Sequence, residues 1–453
     1  MEARSECHVV AMPYPGRGHI NPMMNLCKLI SARRPHTLFT FILTQEWYGF
    51  IRSDPTPENI RFLTVPDVIP SEIGRAKDFP GFYRATQTKL EAPVEELLDR
   101  LESPKPNVIL HDTYLPWVVS LGIRKNIPVA SFYTMSATVF SVFQHWDLLV
   151  QRGHTNNPNL SEVVNYLPGV APIKVSDLPT PVFGKGKELI DDVLKAFSMV
   201  PKAQYLLFTS VYELEASAID ALRENLSIPI HPIGPAIPNF GTQEQLSQVI
   251  ANEDQESDNV IKWLNAQAKS SVLYISQGSF LSVSSAQLDE IIAGVHESGV
   301  KYLWVAPGGG IDTSRFQRQN GEGGLVVPWC DQFKVLCHPS VGGFWSHCGW
   351  NSTKEAAFAG IPVLTFPIFW DQTTNSELIV GVWKIGVKVQ KGDGSLVMRD
   401  EICGLLRRFM DLEDDDMKEM RRRAKMVQET CQNSVKKGGS SDLNIDAFIN
   451  DIS

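Results

Sequence analysis

The feature that most constrains this chain is an alternation: short apolar runs of strand length, each followed by a segment of helical periodicity, in two long series. The first series has runs at His8–Met12, Leu38–Leu43, Phe62–Val65, Val108–Leu110 and Val129–Phe132. Between them lie a helix expected from Asn21, with Pro22 at its first position, and one long amphipathic helix over Phe82–Leu101. Strands separated by helices pair in parallel, because parallel neighbours need a long crossover. After Val170 the pattern is less regular. A strand at Tyr205–Phe208 and a helix over Leu214–Asn225 lead to Ile228–Pro235, whose prolines favour an extended path. The polar, acidic stretch Ala236–Asp258 has no periodicity and reads as a linker. A second series follows: Ser271–Ser276, Tyr302–Val305, Leu325–Val327, Gly342–Trp345, Pro362–Phe366 and Ile385–Val389, with a helix over Ser285–Ser298. The expected fold is α/β, with two Rossmann-like, doubly wound domains facing each other across a cleft. Residues 1–236 would form the first domain, 237–258 the linker and 259–435 the second domain. Residues 436–453 would be a helix returning to the first domain. Ligands of open parallel sheets bind beyond the carboxyl ends of the strands, so the cleft is where chemistry belongs.

A chain of 453 residues is too long for one core, in keeping with two domains. Its net charge of −9 argues against a nucleic-acid partner, which would need a basic face. The seven cysteines are odd in number and scattered, the pattern of reduced thiols in the cytosol. Met1–Cys7 carries charge and precedes only a strand-length apolar run, so no secretory signal is expected. No window is long and apolar enough for a bilayer, so neither is membrane insertion. The acidic triplet Asp414–Asp416 precedes Lys418 and Arg421–Arg423, a charge order that suits a helix dipole better than a metal site.

Candidate chemistry is densest between Trp329 and Gln372. His347-Cys348-Gly349-Trp350-Asn351-Ser352 lies between the run Gly342–Trp345 and a helix expected to start near Ser352. A strand feeding a helix N-terminus presents free N–H groups and a positive dipole end, which suits a phosphate. Taken singly, Trp329 reads as a packed aromatic, Glu355 as a surface helix residue and Asp371 as an N-cap. Their joint spacing reverses that.

The segment resembles the signature box of plant family 1 UDP-glycosyltransferases, from Trp329 through Gln332, His338, Gly343-Phe344, His347–Ser352, Glu355, Gly360, Pro362 and Pro367 to Asp371-Gln372. The likeness continues outside it, at Pro15–Pro22, Glu213-Leu214-Glu215, Pro232–Pro235, Ser276–Ser279 and Gly438–Ser441. It implies the two-domain fold called GT-B. It also implies that Trp329 stacks on uracil, that the Cys330 backbone reads the base edge, and that Gln332 and Glu355 hold the ribose. His347, Gly349, Asn351, Ser352 and Ser279 would surround the diphosphate, and Trp350, Asp371 and Gln372 the sugar. A glutamine closing the box goes with glucose. UDP-glucose is then the co-substrate, with no metal and no further cofactor. Four positions depart from the family pattern: Gln277, Pro307, Cys330 and Asp331.

Pro13–His19 follows the first apolar run, and Gly16 and Gly18 would allow a tight turn placing His19 over the cleft. Histidine titrates near neutrality, as a general base for a hydroxyl must. Asp112, at the end of Val108–Leu110, matches the family's aspartate and would orient His19, as carboxylates do in hydrolase triads. Without the box, a loop histidine and a helix cap describe the pair equally well. His111 would face the other way and be structural. The implied reaction is a single displacement with inversion.

Rival readings fail on spacing. Gly16-Arg17-Gly18 lacks the third glycine of a dinucleotide fingerprint, since Asn21 occupies that position. Cys330, Cys337-His338 and His347-Cys348 match no common zinc module. Two alternatives keep the architecture: a UDP-sugar-binding regulator without activity, and a transferase using UDP-galactose, UDP-xylose or UDP-glucuronate. The expected acceptor is a small apolar compound of a phenolic or hormone-like class, attacked through a hydroxyl or carboxyl. Its pocket would draw on Trp47–Phe50, Phe79–Thr88, Phe132–Trp146 and Pro179–Ala196. A monomer is expected.

Overall fold

The computed structural model describes residues 7–156, 158–184, 186–237, 259–278, 283–306, 316, 323–389 and 395–453. The expected linker lies almost wholly outside them, as do Ser279 and Pro307.

The first sheet is built from β1 (Cys7–Met12), β2 (Thr37–Thr44), β3 (Ile60–Val65), β4 (Val108–Asp112) and β5 (Val129–Tyr133). A small antiparallel hairpin, β6 (Val163–Val164) with β7 (Ile173–Lys174), stands apart; the irregular sequence after Val170 had not suggested it. β8 (Tyr205–Phe208) and β9 (Ile230–Pro232) complete the sheet, whose seven strands run in the order β3-β2-β1-β4-β5-β8-β9. All neighbours are parallel. Helices cover both faces, so β1 is buried along its whole length, which explains its uninterrupted apolar run.

The second sheet contains β10 (Val272–Ser276), β11 (Lys301–Val305), β12 (Gly324–Val327), β13 (Val341–Ser346), β14 (Val363–Thr365) and β15 (Gly386–Lys388). Its order is β12-β11-β10-β13-β14-β15, again all parallel. In both sheets the chain builds outward from the first strand, then returns to that strand's other side. Each sheet therefore has a switch point, between β1 and β4 and between β10 and β13. Loops leaving the two strands there diverge and open a crevice. The helix after β1 carries His19 in its first turn, Asp112 ends β4, and the loop after β13 carries His347–Gly349.

Three helices differ from expectation. The first begins at Arg17 and places Pro22 inside it. The segment Phe82–Leu101 forms two helices, Phe79–Thr88 and Glu91–Asp99. Pro93 explains the break: it lacks an N–H, and a restart at Glu91 puts it in a first turn, where none is needed. The expected helix from Leu214 is a 3-10 turn, Tyr212–Leu214, followed by a helix over Ala216–Asn225.

Near the end, Asp414 caps the helix Asp415–Val435 by accepting from the Met417 N–H. The final helix, Ser440–Ile452, buries Ile445, Phe448, Ile449 and Ile452 in the same core as Val9, Ala11 and Ile20 beside the first sheet. Arg33 bonds Asp442 and Asp446, each at 2.8 Å, and the Ser441 hydroxyl donates to the Gly234 carbonyl.

Glu213-Leu214-Glu215 has a structural use. Glu213 accepts from Ser440 at 2.9 Å, which ties the last helix to the chain after β8. Buried Glu215 accepts from the N–H groups of Ala137 (3.1 Å) and Thr138 (2.9 Å), capping the helix Ala137–Gln144. Glu215 also accepts from the Thr138 and Ser210 hydroxyls, so Glu215→Ala takes the acceptor from the buried Thr138 N–H and both hydroxyls and should cost about 2–4 kcal/mol, read as a lower urea midpoint. Glu215→Gln keeps an acceptor oxygen and should cost less. A parental midpoint for Glu215→Ala would contradict the capping role.

Candidate functional site

On the first sheet's side, the chain leaves β1 and turns into the helix Arg17–Arg33, with His19 as its third residue. His19 Nδ1 lies 2.7 Å from Asp112 Oδ2 and 2.9 Å from the Thr134 hydroxyl. Asp112 Oδ1 accepts from the Tyr114 N–H at 3.0 Å, so both carboxylate oxygens are engaged. The Asp112 side chain is 1% exposed and that of His19 16%, so the pair meets solvent only through the imidazole. With Nδ1 held, Nε2 is the nitrogen left for a ligand. Gly16 has φ −176°, extended backbone open to any residue, so a left-handed turn is not what requires glycine there. A Cβ would lie 2.2 Å from Arg75 Nη1, so a side chain there would require the Arg75 guanidinium to shift.

The ring of Tyr14 lies 5.0 Å from that of His19, and the Phe82 and Tyr83 rings lie 6.2 and 6.1 Å from Tyr14. Tyr14 thus borders the histidine, and Phe82 and Tyr83, two aromatics of the expected acceptor pocket, pack around Tyr14. Phe140 and Phe143 pack against Phe197 in the interior, while Trp47 is buried on the opposite face of the sheet. His111 is buried beside Asp112, and burial pushes its imidazole down to about 4.

On the second sheet's side, β13 passes through His347-Cys348-Gly349 into the helix Trp350–Ala359. Cys348 takes the left-handed conformation, φ 65°, and its carbonyl accepts from Asn375 at 2.9 Å. The His347 ring sits between two glycines: a Cβ at Gly278 or Gly349 would approach its Nε2 to 2.8 or 2.5 Å. Burial pushes that imidazole down to about 4. The Trp350, Asn351 and Ser352 N–H groups form the first turn, where no helical carbonyl can accept them.

One turn further lies a linked cluster. Gln332 Nε2 is 2.8 Å from Glu355 Oε2 and 2.9 Å from Ser352 Oγ. Burial raises Glu355 to about 7, against the Gln332 hydrogen bond and the neighbouring Lys354, which lower it. Lys354 is itself lowered to about 7 by burial. Asp331 caps the short helix Gln332–Leu336 by accepting from Lys334, so this departure from the family pattern has a local use. Trp329, at 67% exposure, presents an open aromatic face. Gln372 Oε1 accepts from the N–H groups of Ile368 (2.8 Å) and Phe369 (3.0 Å), and among the described residues its Nε2 has no partner. Burial lifts Asp371 to about 6 while Asn375 donates to it at 2.7 Å.

Trp350 requires a correction. Its indole is not turned toward a sugar: it is 4% exposed, lies 6.2 Å from the Trp383 ring and donates to Thr209 at 3.1 Å. What Trp350 offers a ligand is its backbone. His338 is occupied by Ser340 (2.8 Å) and Asn265 (3.0 Å), and the Cys330 sulfur by the Tyr274 hydroxyl (3.6 Å), which suits structural roles.

Sequence reasoning missed Thr134, Thr209 and Asn375. Thr134 follows β5 as Asp112 ends β4, so carboxyl-end position was an available signal. Asn375 stands four residues after Asp371, within reach on one helix face. Nothing local marks Thr209.

The chain matches the family described as UDP-glucoronosyl and UDP-glucosyl transferase over residues 210–393. UDP-glycosyltransferase 87A2 of Arabidopsis thaliana is 51% identical over 449 residues, spanning 98% of this chain and 96% of that one. The 7-deoxyloganetin glucosyltransferase of Catharanthus roseus is 30% identical over 476 residues, 98% and 96% of the two chains. In structure, Medicago truncatula UGT71G1 complexed with UDP-glucose aligns with a TM-score of 0.79 over 100% of this chain and 99% of its own, at 24% identity. Two parallel sheets with their switch points, a helix start suited to a diphosphate, and half the residues shared with a curated relative lead to one statement: this chain is an enzyme of the plant family 1 UDP-glycosyltransferases, with the GT-B fold.

Proposed function

We propose that the chain transfers glucose from UDP-glucose to the hydroxyl or carboxyl of a small apolar acceptor, with inversion at the anomeric carbon. The observation that carries this reading is the His19–Asp112 contact at 2.7 Å, at the switch point of the first sheet. The glucosyltransferase name of the Catharanthus roseus relative supports the choice of sugar. On this reading residues 1–236 receive the acceptor, 259–435 hold the donor, and 436–453 return to the acceptor side.

Asp112 fixes the imidazole so that Nε2 takes the acceptor proton, and the negative carboxylate steadies the imidazolium that forms. The acceptor oxygen attacks the anomeric carbon as its bond to the diphosphate breaks. The first N–H groups of the helix Trp350–Ala359 meet the charge that collects on UDP. Trp329 offers a stacking face to uracil, and Gln332 with Glu355 offers the ribose two adjacent partners. Asp371 and the Gln372 side-chain amide nitrogen face the sugar.

His19→Ala should reduce transfer by about 10²–10⁴-fold while leaving the dissociation constant for UDP, measured by calorimetry, near the parental value. Unchanged turnover would remove His19 from the base role.

The ribose contact has a pH signature. Glu355, with its carboxyl raised to about 7, offers both oxygens as acceptors to the two hydroxyls when ionised, whereas the protonated acid turns one of them into a donor. UDP affinity should therefore rise as the pH passes upward through about 7, and the Glu355→Gln variant should bind more weakly with that component of the rise gone. Parallel pH profiles for the two proteins would reject the ribose role.

A further inference from the structure

The first helix contains a proline where a helix interior should not, and a donor from the other sheet's side stands beside the gap. Pro22 lies well inside Arg17–Arg33. In a regular helix the N–H of residue 22 would bond the carbonyl of residue 18. Proline has no such hydrogen, and its ring pushes against that carbonyl. The Gly18 carbonyl instead accepts from Asn351 Nδ2 at 2.9 Å, a contact spanning 333 residues of sequence. Each end sits beside proposed chemistry. Gly18 immediately precedes His19, and Asn351 is the second residue of the helix Trp350–Ala359.

We propose that Asn351 is a positioning residue that ties the diphosphate end of the site to the His19 turn through the Gly18 carbonyl, and that Pro22 keeps that carbonyl open for it. The inference rests on the sugar transfer proposed above and adds a device that sets the spacing between base and leaving group. An amide nitrogen carries two hydrogens. One held by Gly18 orients the group and leaves the second hydrogen and the oxygen for the donor. The helix gives up one internal bond, and the carbonyl still has its partner. Reacting atoms must be held about 3–3.5 Å apart for efficient displacement, so a bond fixing one side of the cleft to the other acts on the chemical step more than on ground-state binding.

The test is a double-mutant cycle of Pro22→Ala and Asn351→Ala. Alanine at 22 supplies the missing N–H and lets the helix close over Gly18. Pro22→Ala should lower kcat about three- to tenfold, the worth of one hydrogen bond. KM for UDP-glucose should stay within about twofold of the parent, as for an interaction made in the transition state. Its melting temperature should be unchanged or higher, because alanine suits a helix interior far better than proline. A merely structural proline would not separate activity from stability in this direction. In the Asn351→Ala background, Pro22→Ala should have no further effect on kcat. Parental kcat in Pro22→Ala, or the same fold loss in both backgrounds, overturns the bridge. The side-chain amide resonance of Asn351 keeps this failure apart from failure of the transfer reading. Pro22→Ala should move that resonance whether or not sugar is transferred, and a parental resonance overturns the bridge. A moved resonance with no turnover in any of the four proteins supports the bridge and overturns only the transfer reading.

Discussion

Transfer across a cleft depends on the two sheets being held at one separation, and the stretch Phe369–Gln372 supplies that constraint. Trp370 is bonded in both directions to Thr180: its N–H donates to the Thr180 hydroxyl at 3.0 Å and its carbonyl accepts from the Thr180 N–H at 2.9 Å. Its backbone is left-handed, φ 64°, a conformation that costs a bulky residue about 1–3 kcal/mol and persists only where its surroundings enforce it. The indole lies in the aromatic core of the first sheet and donates to the Tyr114 hydroxyl at 3.3 Å. Thr373 and Thr374 donate to the carbonyls of Leu178 and Asp177, and Lys388 pairs with the Asp177 carboxylate at 2.8 Å. The residues proposed to face the sugar, Asp371 and Gln372, follow directly from this anchor. Their placement is set from both sides of the cleft.

The same economy governs the polar groups. Asp112 has its two oxygens engaged by different donors, and Tyr114, which supplies one of them, is also the residue that Trp370 reaches. Gln332, Ser352 and Glu355 are joined through one amide, that of Gln332. Groups so held need little rearrangement when a nucleotide enters, which is the condition for stabilising charge in a transition state at low cost.

Much of this architecture was legible. Strand-length runs and helical segments alternate because both faces of each sheet are covered, and that forces the strands to be apolar throughout. The unfilled parts have a common cause: partners far away in sequence. Asn21-Pro22 resembles a cap followed by a first-turn proline, but the helix starts five residues earlier, at Arg17. In the interior the proline leaves the Gly18 carbonyl without a residue-22 N–H, and Asn351 donates to that carbonyl from across the cleft. The signature spacing marks Trp350, yet only Thr209, 141 residues away, shows that the indole turns inward. Gly16 looked like a turn glycine, yet its backbone is extended and it leaves room for the Arg75 guanidinium. Residues at the carboxyl ends of strands were the readable part of the site, and contacts that cross from one sheet to the other were not.

The central claim is a single displacement, with His19 on one side of the cleft and the departing diphosphate on the other. UDP-glucose carries its sugar in the α configuration, so one displacement from the opposite face gives a β-linked product. The most direct measurement is the anomeric configuration of the initial glucoside, read from its anomeric proton coupling by NMR as the product accumulates. A β-glucoside is the predicted result. An α-glucoside would contradict the account.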